Sequence, residues 1–225
     1  RQEQLIRSME SYRSEEAGRL VIGVSYFRSL YLIPPMVKKL RQKFPGVLVS
    51  LQEMNSDLLR KGAAEGKFDF AIVNLPVDDS ILDVTPLEPD TLVLAVPNHL
   101  LSSLPETHKS GSISIRQCTQ LPFVVVTPAQ ELRRLFDRLC ASADLQPRIA
   151  VEVTGVNTAW SMAQSGVGAA LLPLQLVGRE QFDKNVTLLT LTDTNYSRQP
   201  VIVTRRGQYI APYTQYAIDL LTGSK

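Results

Sequence analysis

The sequence predicts an α/β fold made of two similar lobes, and the order of its elements is the reason. A buried strand, a helix and a second strand follow one another between Gly18 and Glu53. The order strand–helix–strand–helix–strand continues to Asn74 and then recurs between Pro122 and Leu172. A single crossover makes two strands parallel neighbours. Each lobe is therefore predicted as an open parallel sheet with helices on its faces.

The opening unit is predicted from the spacing of apolar residues. Leu20 to Val24 form a nearly continuous apolar run, which indicates a strand buried on both faces. Pro45-Gly46 ends the helix that follows, and a second strand covers 47–53. The apolar stripe of that helix consists of Leu30, Ile33, Val37, Leu40 and Phe44.

The first lobe continues with a short helix and further strands. Ser56-Asp57 is predicted as the N-cap of the helix, and Gly66 suits its end. Asn74 closes the third strand. Pro86 has no N–H to donate, so the strand that contains it is predicted at a sheet edge. These strands are predicted at 68–73, 82–87 and 91–96.

The second lobe is predicted from the same pattern. Its strands are predicted at 122–126, 149–153, 169–172, 186–191 and 200–203, with a helix at 157–165. The helix after its first strand has a broad apolar face formed by Leu132, Leu135, Phe136, Leu139, Cys140 and Ala143. A closing helix carries Tyr213, Tyr216, Ala217, Leu220 and Leu221.

Composition and charge exclude several classes of protein. The net charge of +2 is too small for a nucleic-acid-binding surface. No apolar run reaches the roughly 20 residues of a membrane helix. Cys118 and Cys140 lack paired or metal-type spacing. Cys140 lies on the apolar face of a predicted helix, so we expect a buried, reduced thiol, which favours a cytoplasmic setting. Because the chain starts at Arg1 rather than Met, we expect it to be a fragment.

Catalytic and metal-binding patterns are missing from the sequence. There is no HExxH, GxSxG or Walker-type run. His99 and His108 lie in an irregular segment without paired ligand spacing, so solvated loop histidines are the better interpretation. We therefore predict no catalytic residue, no metal and no cofactor.

Polar residues follow the carboxyl ends of strands in both lobes. In the first lobe these are Ser25, Ser56 and Asn74, and in the second they are Thr127, Thr154 and Asn157. Ser56, Thr127 and Asn157 could each simply be a helix cap. Together the six predict a neutral, hydrogen-bonding cleft for a small anionic or polar ligand. Arg28 lies in the first turn of a helix, where the helix dipole disfavours a cation. Pairing with a ligand anion is one interpretation, and a solvated side chain is the better one.

Several runs resemble the effector-binding domain of LysR-type transcriptional regulators. In the first lobe they are Leu20-Val21-Ile22-Gly23, Leu32-Ile33-Pro34, Phe44-Pro45-Gly46-Val47, Leu51-Gln52-Glu53 and Gly66-Lys67-Phe68-Asp69-Phe70-Ala71-Ile72. In the second lobe the run is Met162-Ala163-Gln164-Ser165-Gly166-Val167-Gly168-Ala169-Ala170-Leu171-Leu172-Pro173. The resemblance covers nearly all of the chain from Gly18 onward.

The resemblance implies a fold and a domain organisation. The fold is that of a type II periplasmic binding protein, with two Rossmann-like lobes joined by two crossover strands and a ligand cleft between them. Residues 1–17 are then a remnant of the linker helix that pairs regulators, although a frayed tail is the alternative. Lobe I is expected at 18–89 plus 209–225, and lobe II at 90–208.

The resemblance also implies the ligand contacts. Ser25, Phe27, Ser56 and Asn74 fall at first-lobe contact positions, and Thr127, Pro128 and Thr154 at second-lobe positions. Tyr26 and Asn157 complete the expected set by position. Phe27 stands where many members have Ser or Thr, so a hydroxyl donor is missing. The expected ligand is therefore either a carboxylate or an aromatic, more apolar molecule.

We hypothesise that the chain is the sensory half of a bacterial transcription regulator and that it catalyses no reaction. It implies a homodimer or homotetramer, DNA contact only through a missing N-terminal domain, and no membrane contact. Ligand binding is expected to shift the populations of open and closed arrangements. The alternatives are an extracytoplasmic solute-binding protein of a transporter and a small α/β enzyme.

Overall fold

The computed structural model describes residues 17–177, 184–193 and 198–223. They divide into two compact units. Unit 1 comprises the chain up to Pro89 and again from Gln199, and unit 2 comprises Asp90–Arg198. This organisation confirms the predicted two-lobe α/β fold. The predicted linker helix at 1–17 lies outside the described residues except for Ala17, which begins the first strand.

Unit 1 is a five-stranded mixed sheet with helices on it. Its strands are β1 (Ala17–Val24), β2 (Gly46–Glu53), β3 (Phe70–Asn74), β4 (Leu82–Pro86) and β11 (Pro200–Arg205). Its helices are α1 (Tyr26–Tyr31), α2 (Ile33–Lys43), α3 (Ser56–Ala64) and α7 (Pro212–Thr222). The strand order is β2-β1-β3-β11-β4. Strand β1 is parallel to both β2 and β3. Strand β11 is antiparallel to both of its neighbours, β3 and β4. The edge position predicted for the strand with Pro86 is confirmed.

The predicted first helix is divided in two. Pro34 and Pro35 have no N–H to continue the hydrogen-bonding of α1, so α2 starts anew with proline in its first turn. The buried stripe of α2 is Ile33, Met36 and Leu40. Leu30 lies on α1 instead and is 53% exposed, so its predicted place on that stripe was wrong.

Unit 2 repeats the strand–helix alternation. Its strands are β5 (Leu92–Pro97), β6 (Ser112–Ile113), β7 (Pro122–Val126), β8 (Arg148–Val153), β9 (Ala170–Pro173) and β10 (Val186–Leu191). Its helices are α4 (Glu131–Ser142), α5 (Val156–Gln164) and α6 (Leu174–Val177). Short 3₁₀ helices cover Asn98–Ser103, Glu106–Ser110 and Ile115–Gln117.

The strands of unit 2 form two hydrogen-bonded groups. One is the sheet β6-β10-β5-β9, and the other is the parallel pair β7-β8. The Val124 N–H donates to Ala169 O over 2.8 Å, and the Ala169 N–H donates to Pro122 O over 2.8 Å. These two bonds join β7 to the residue that precedes β9, so the two groups are continuous.

The return from unit 2 to unit 1 lies earlier than predicted. Residues 199–208 were assigned to lobe II, but the units divide between Arg198 and Gln199. The physical reason is strand β11, which pairs with both β3 and β4 of unit 1. Val201, Ile202 and Val203 are buried there.

No helix within the described ranges combines the length and apolar character that crossing a membrane requires.

Candidate ligand-binding site

Three predicted site residues of unit 1 lie at one edge of its sheet. Ser25 directly follows β1, Ser56 follows β2 after a short turn, and Asn74 is the last residue of β3. Because these strands are parallel, their carboxyl ends meet at the same edge. Open α/β sheets bind ligands at this edge.

Helix α1 is tied at this edge to both strands that flank β1. The Arg28 guanidinium donates to Asn74 Oδ1 of β3 over 2.6 Å. The adjacent Ser29 hydroxyl donates to the Glu53 carboxylate of β2. Since β1 lies between β2 and β3, the two neighbouring side chains brace the helix from opposite sides.

Arg28 is buried, and its predicted solvation was wrong. Only 1% of the residue is exposed, and it is the largest of the fully buried side chains. Burying a guanidinium is costly unless it is hydrogen-bonded, and Asn74 supplies a strong charge-assisted acceptor. A cation in a first helical turn is also opposed by the helix dipole. This side chain thus breaks two local rules at once, which is a feature of functional sites.

A second arginine reaches the same residue from α3. Arg60 donates to the Asn74 main-chain oxygen over 3.4 Å and forms an ion pair of 3.0 Å with Asp57. Sequence reasoning missed Arg60. The signal was present, because an arginine one turn inside a helix that starts at this edge is close to the ends of the neighbouring strands.

The three consecutive residues Ser25, Tyr26 and Phe27 differ in their exposure and contacts. The Ser25 hydroxyl accepts from the Arg28 N–H over 3.4 Å and caps α1. The Tyr26 ring is exposed, with 59% of the residue accessible. Phe27 is buried, and its ring centroid lies 4.7 Å from that of Tyr31. Tyr26 therefore presents an aromatic surface at this edge, and most of the Phe27 ring is covered.

Ser56 is not the cap of α3, which corrects the predicted role. The cap is Asn55, whose Oδ1 accepts from the Leu58 N–H over 3.0 Å. Ser56 is a half-buried residue, and its hydroxyl forms no hydrogen bond with the part of the chain that the structure describes. Its donor is therefore available at the sheet edge.

The predicted residues of unit 2 gather at the carboxyl ends of β7 and β8. The Thr127 N–H donates to Val153 O over 2.9 Å, which joins the two strand ends. Gln130 Nε2 donates to Thr154 O over 3.2 Å, so the loop after β7 is also tied to the residue after β8. Pro128 is exposed in that loop.

Neither helix cap suggested for unit 2 is formed. Gln130 occupies the N-cap position of α4 instead of Thr127. Gly155 occupies that of α5, and Asn157 is an exposed residue in its first turn. The side chains of Thr127 and Asn157 are therefore not committed to capping.

Metal binding finds no support within the described residues. They contain no group of three or more His, Cys, Asp or Glu side chains placed to hold an ion.

The sequence matches the family described as LysR substrate binding domain over residues 13–224. The chain belongs to this family. The YcgK transcriptional regulator of Bacillus subtilis (strain 168) is 28% identical to this LysR substrate binding domain over 230 residues, 96% of the chain and 70% of YcgK. Other curated relatives are matched over as little as 55% of their length.

Solved structures of LysR effector-binding domains share its fold. The effector binding domain of QuiR in complex with shikimate superposes with a TM-score of 0.74 at 20% identity, over 92% of this chain and 96% of that one. The BenM effector binding domain with its effector benzoate gives 0.71 at 20% identity, over 90% of each chain. These likenesses establish the fold of a LysR effector-binding domain.

Proposed function

We propose that this LysR substrate binding domain senses a small organic anion that binds at the carboxyl edge of the unit 1 sheet. One observation carries the proposal: Arg28 and Arg60 converge on Asn74, one at its side-chain oxygen and the other at its main-chain oxygen. Guanidinium groups match the geometry of carboxylates. The hydroxyl of Ser56 supplies a further donor at this edge.

The ligands named for two related domains support the organic-acid class. Shikimate and benzoate, bound by the QuiR and BenM domains, are both ring carboxylates. In this chain Tyr26, which lies two residues before Arg28 in α1, is exposed and offers an aromatic surface. A carboxylate with an aromatic or alicyclic body is therefore the ligand class we propose.

We further infer that the domain acts inside a longer regulator. Its relatives YcgK and AlsR are named HTH-type transcriptional regulators, and this chain spans 70% and 63% of their lengths. In that setting a separate N-terminal domain contacts DNA, the protein is a homodimer or homotetramer, and it acts in the cytoplasm. The domain binds its ligand without turning it over.

A thermal-shift screen against ring and chain carboxylates tests the proposal, because a ligand that binds the folded state raises the melting temperature. We expect at least one carboxylate to stabilise the protein. Arg60→Gln should weaken its binding about tenfold or more, since a charge-assisted bond is lost.

Arg41→Gln is the matched control, because Arg41 is an exposed arginine of α2. This variant should bind as the wild type does. Equal affinities of the Arg60→Gln variant and the wild type would contradict an anion site at this edge.

A further inference from the structure

The exposed side of helix α2 is basic. Lys38, Lys39, Arg41 and Lys43 are all exposed, and the helix contains no acidic residue. None of the four forms an ion pair within the described part of the chain. We call these four residues the basic face of α2, and the ion pairs of the described residues leave its positive charge uncompensated.

The stability of the helix does not explain the whole basic face. Lys39 and Lys43 are four residues apart and Lys38 and Arg41 are three apart, so like charges repel each other along the helix. The helix dipole and the Tyr216 ring, whose centroid lies 4.3 Å from Lys43 Nζ, account for the cations of the last turn. Lys38 and Lys39 lie in the middle of the helix and gain nothing from either. Lysines and arginines clustered along one helix are the electrostatic footprint of an anionic partner.

The carboxyl end of α2 lies beside the beginning of β1. Helix α2 ends at Lys43, and Gly46, which starts β2, pairs with Ala17, which starts β1. The end of the basic face is therefore at the amino edge of the unit 1 sheet. In the longer regulator proposed above, the DNA-binding domain precedes β1 in the chain. It is joined to unit 1 at this edge, and DNA is the polyanion that it binds.

We propose that the basic face of α2 contacts the phosphate backbone of duplex DNA without reading its sequence. The inference rests on the proposed function, since the longer regulator is what brings DNA to this domain. The 11 residues of α2 make a helix about 16 Å long. Duplex DNA carries one negative charge per roughly 1.7 Å of its axis, so several phosphates fit along the face. The net charge of +2, from which the sequence predicts no nucleic-acid-binding surface, averages this face with acidic residues elsewhere.

The salt dependence of DNA binding tests the proposal on this chain. Fluorescence anisotropy with a labelled duplex of about 30 base pairs and arbitrary sequence gives the binding constant at about 20 to 100 mM KCl. Four phosphate contacts predict that its logarithm falls with the logarithm of the salt concentration with a slope of about −3.6. In the double variant Lys38→Gln, Lys39→Gln the slope should be about −1.8.

The matched control is the double variant Lys61→Gln, Lys109→Gln, which removes the same charge elsewhere. Lys61 is exposed on α3, and Lys109 is exposed and forms an ion pair with Glu106. This variant should keep the slope of the wild type. Because all four lysines are exposed, neither double variant should lower the midpoint of thermal unfolding by more than about 2 °C.

Two results would overturn the proposal. The first is no measurable binding of the duplex, or the same slope in both double variants. The second is binding of a poly-glutamate peptide that depends on Lys38 and Lys39 while the duplex does not bind, which would assign the face to an acidic protein partner. Either result leaves carboxylate binding by the Lys38→Gln, Lys39→Gln variant at the wild-type level, whereas failure of the proposed ligand site shows in the Arg60→Gln comparison.

Discussion

The Asp69 carboxylate accepts a hydrogen bond from the Val21 N–H, with 2.6 Å between nitrogen and oxygen. The Asp69 N–H donates in turn to Val21 O over 2.8 Å. Asp69 immediately precedes β3, and Val21 lies in the middle of β1. Asp69 thus ties the start of β3 to the middle of β1 with both its side chain and its main chain. These two bonds fix the register of the β1–β3 pair, which brings Asn74 to the same sheet edge as Ser25.

Asp69→Ala should destabilise unit 1 by about 1–3 kcal/mol, because the Val21 N–H loses its acceptor inside the sheet. Asp69→Asn keeps an oxygen at that position and should cost less. Urea unfolding followed by circular dichroism measures both. A change below about 0.5 kcal/mol for the alanine variant would be the value of an ordinary surface substitution and would rule out this role.

Arg28 and Asn74 should be energetically coupled. In a double-mutant cycle with Arg28→Met and Asn74→Ala, we expect a coupling free energy of about 1.5–3 kcal/mol, since the bond is charge-assisted and buried. Arg19 and Ser50 form an exposed pair at 3.1 Å and provide the control cycle. Their coupling should stay below about 1 kcal/mol. Equal coupling free energies in the two cycles would contradict the prediction that burial strengthens the bond between Arg28 and Asn74.

Much of the fold follows from local sequence patterns. The face predicted for α4 is buried at every position, because an amphipathic helix on a sheet leaves few alternatives for Leu135 or Leu139. The apolar run at 20–24 is buried as predicted for a parallel strand covered on both faces. The edge at which Ser25, Ser56 and Asn74 lie follows from the crossover rule.

Other features depend on partners distant in sequence. The burial of Arg28 requires an acceptor on Asn74, 46 residues further along the chain, and the local pattern around Arg28 contains no sign of it. The apolar run at 200–203 predicts a strand, but only its pairing with β3 and β4 decides which unit it joins. Sequence periodicity shows which face of a helix or strand is apolar. It does not show which distant element packs against that face, and the wrong predictions for Arg28 and for the strand at 200–203 both depended on such a partner.

Ser56 and its neighbour Asn55 should have separable roles. Asn55→Ala removes the cap of α3 and should cost about 0.5–2 kcal/mol of stability while leaving carboxylate binding unchanged. Ser56→Ala should leave stability within about 0.5 kcal/mol of the wild type and weaken binding several-fold. Chemical unfolding and titration calorimetry with a carboxylate found in the screen measure the two properties. Full affinity in the Ser56→Ala variant would remove this hydroxyl from the site.

Gly168 should tolerate no side chain. A Cβ atom built on it would lie 2.6 Å from the main-chain oxygen of Pro122, the acceptor that joins β7 to Ala169. Gly168→Ala therefore has to displace a strand and should cost about 1–3 kcal/mol or more. Gly155→Ala is the control, because its nearest neighbour would be Thr158 Oγ1 at 3.8 Å. A Gly168→Ala variant as stable as this control would refute the close approach.

The two thiols of unit 2 should be unreactive in the folded protein. Burial, and then Asp193 and Cys140, raise the pKa of Cys118 to about 12. Burial, and then Asp137, raise the pKa of Cys140 to about 12. Because the thiolate is the nucleophile, labelling by a disulfide reagent at pH 8 should be about a thousandfold slower than in urea.

The same raised pKa values predict how stability depends on pH. Above about pH 9 the thiols of the unfolded chain lose their protons while the folded ones keep them. The unfolded state then binds fewer protons, so the free energy of unfolding falls as pH rises from about 9 to 12. A Cys118→Ala, Cys140→Ala variant should show a shallower fall, measured by urea unfolding at pH 8, 9 and 10. Equal slopes, or rapid labelling of the native protein, would place the thiols in contact with solvent.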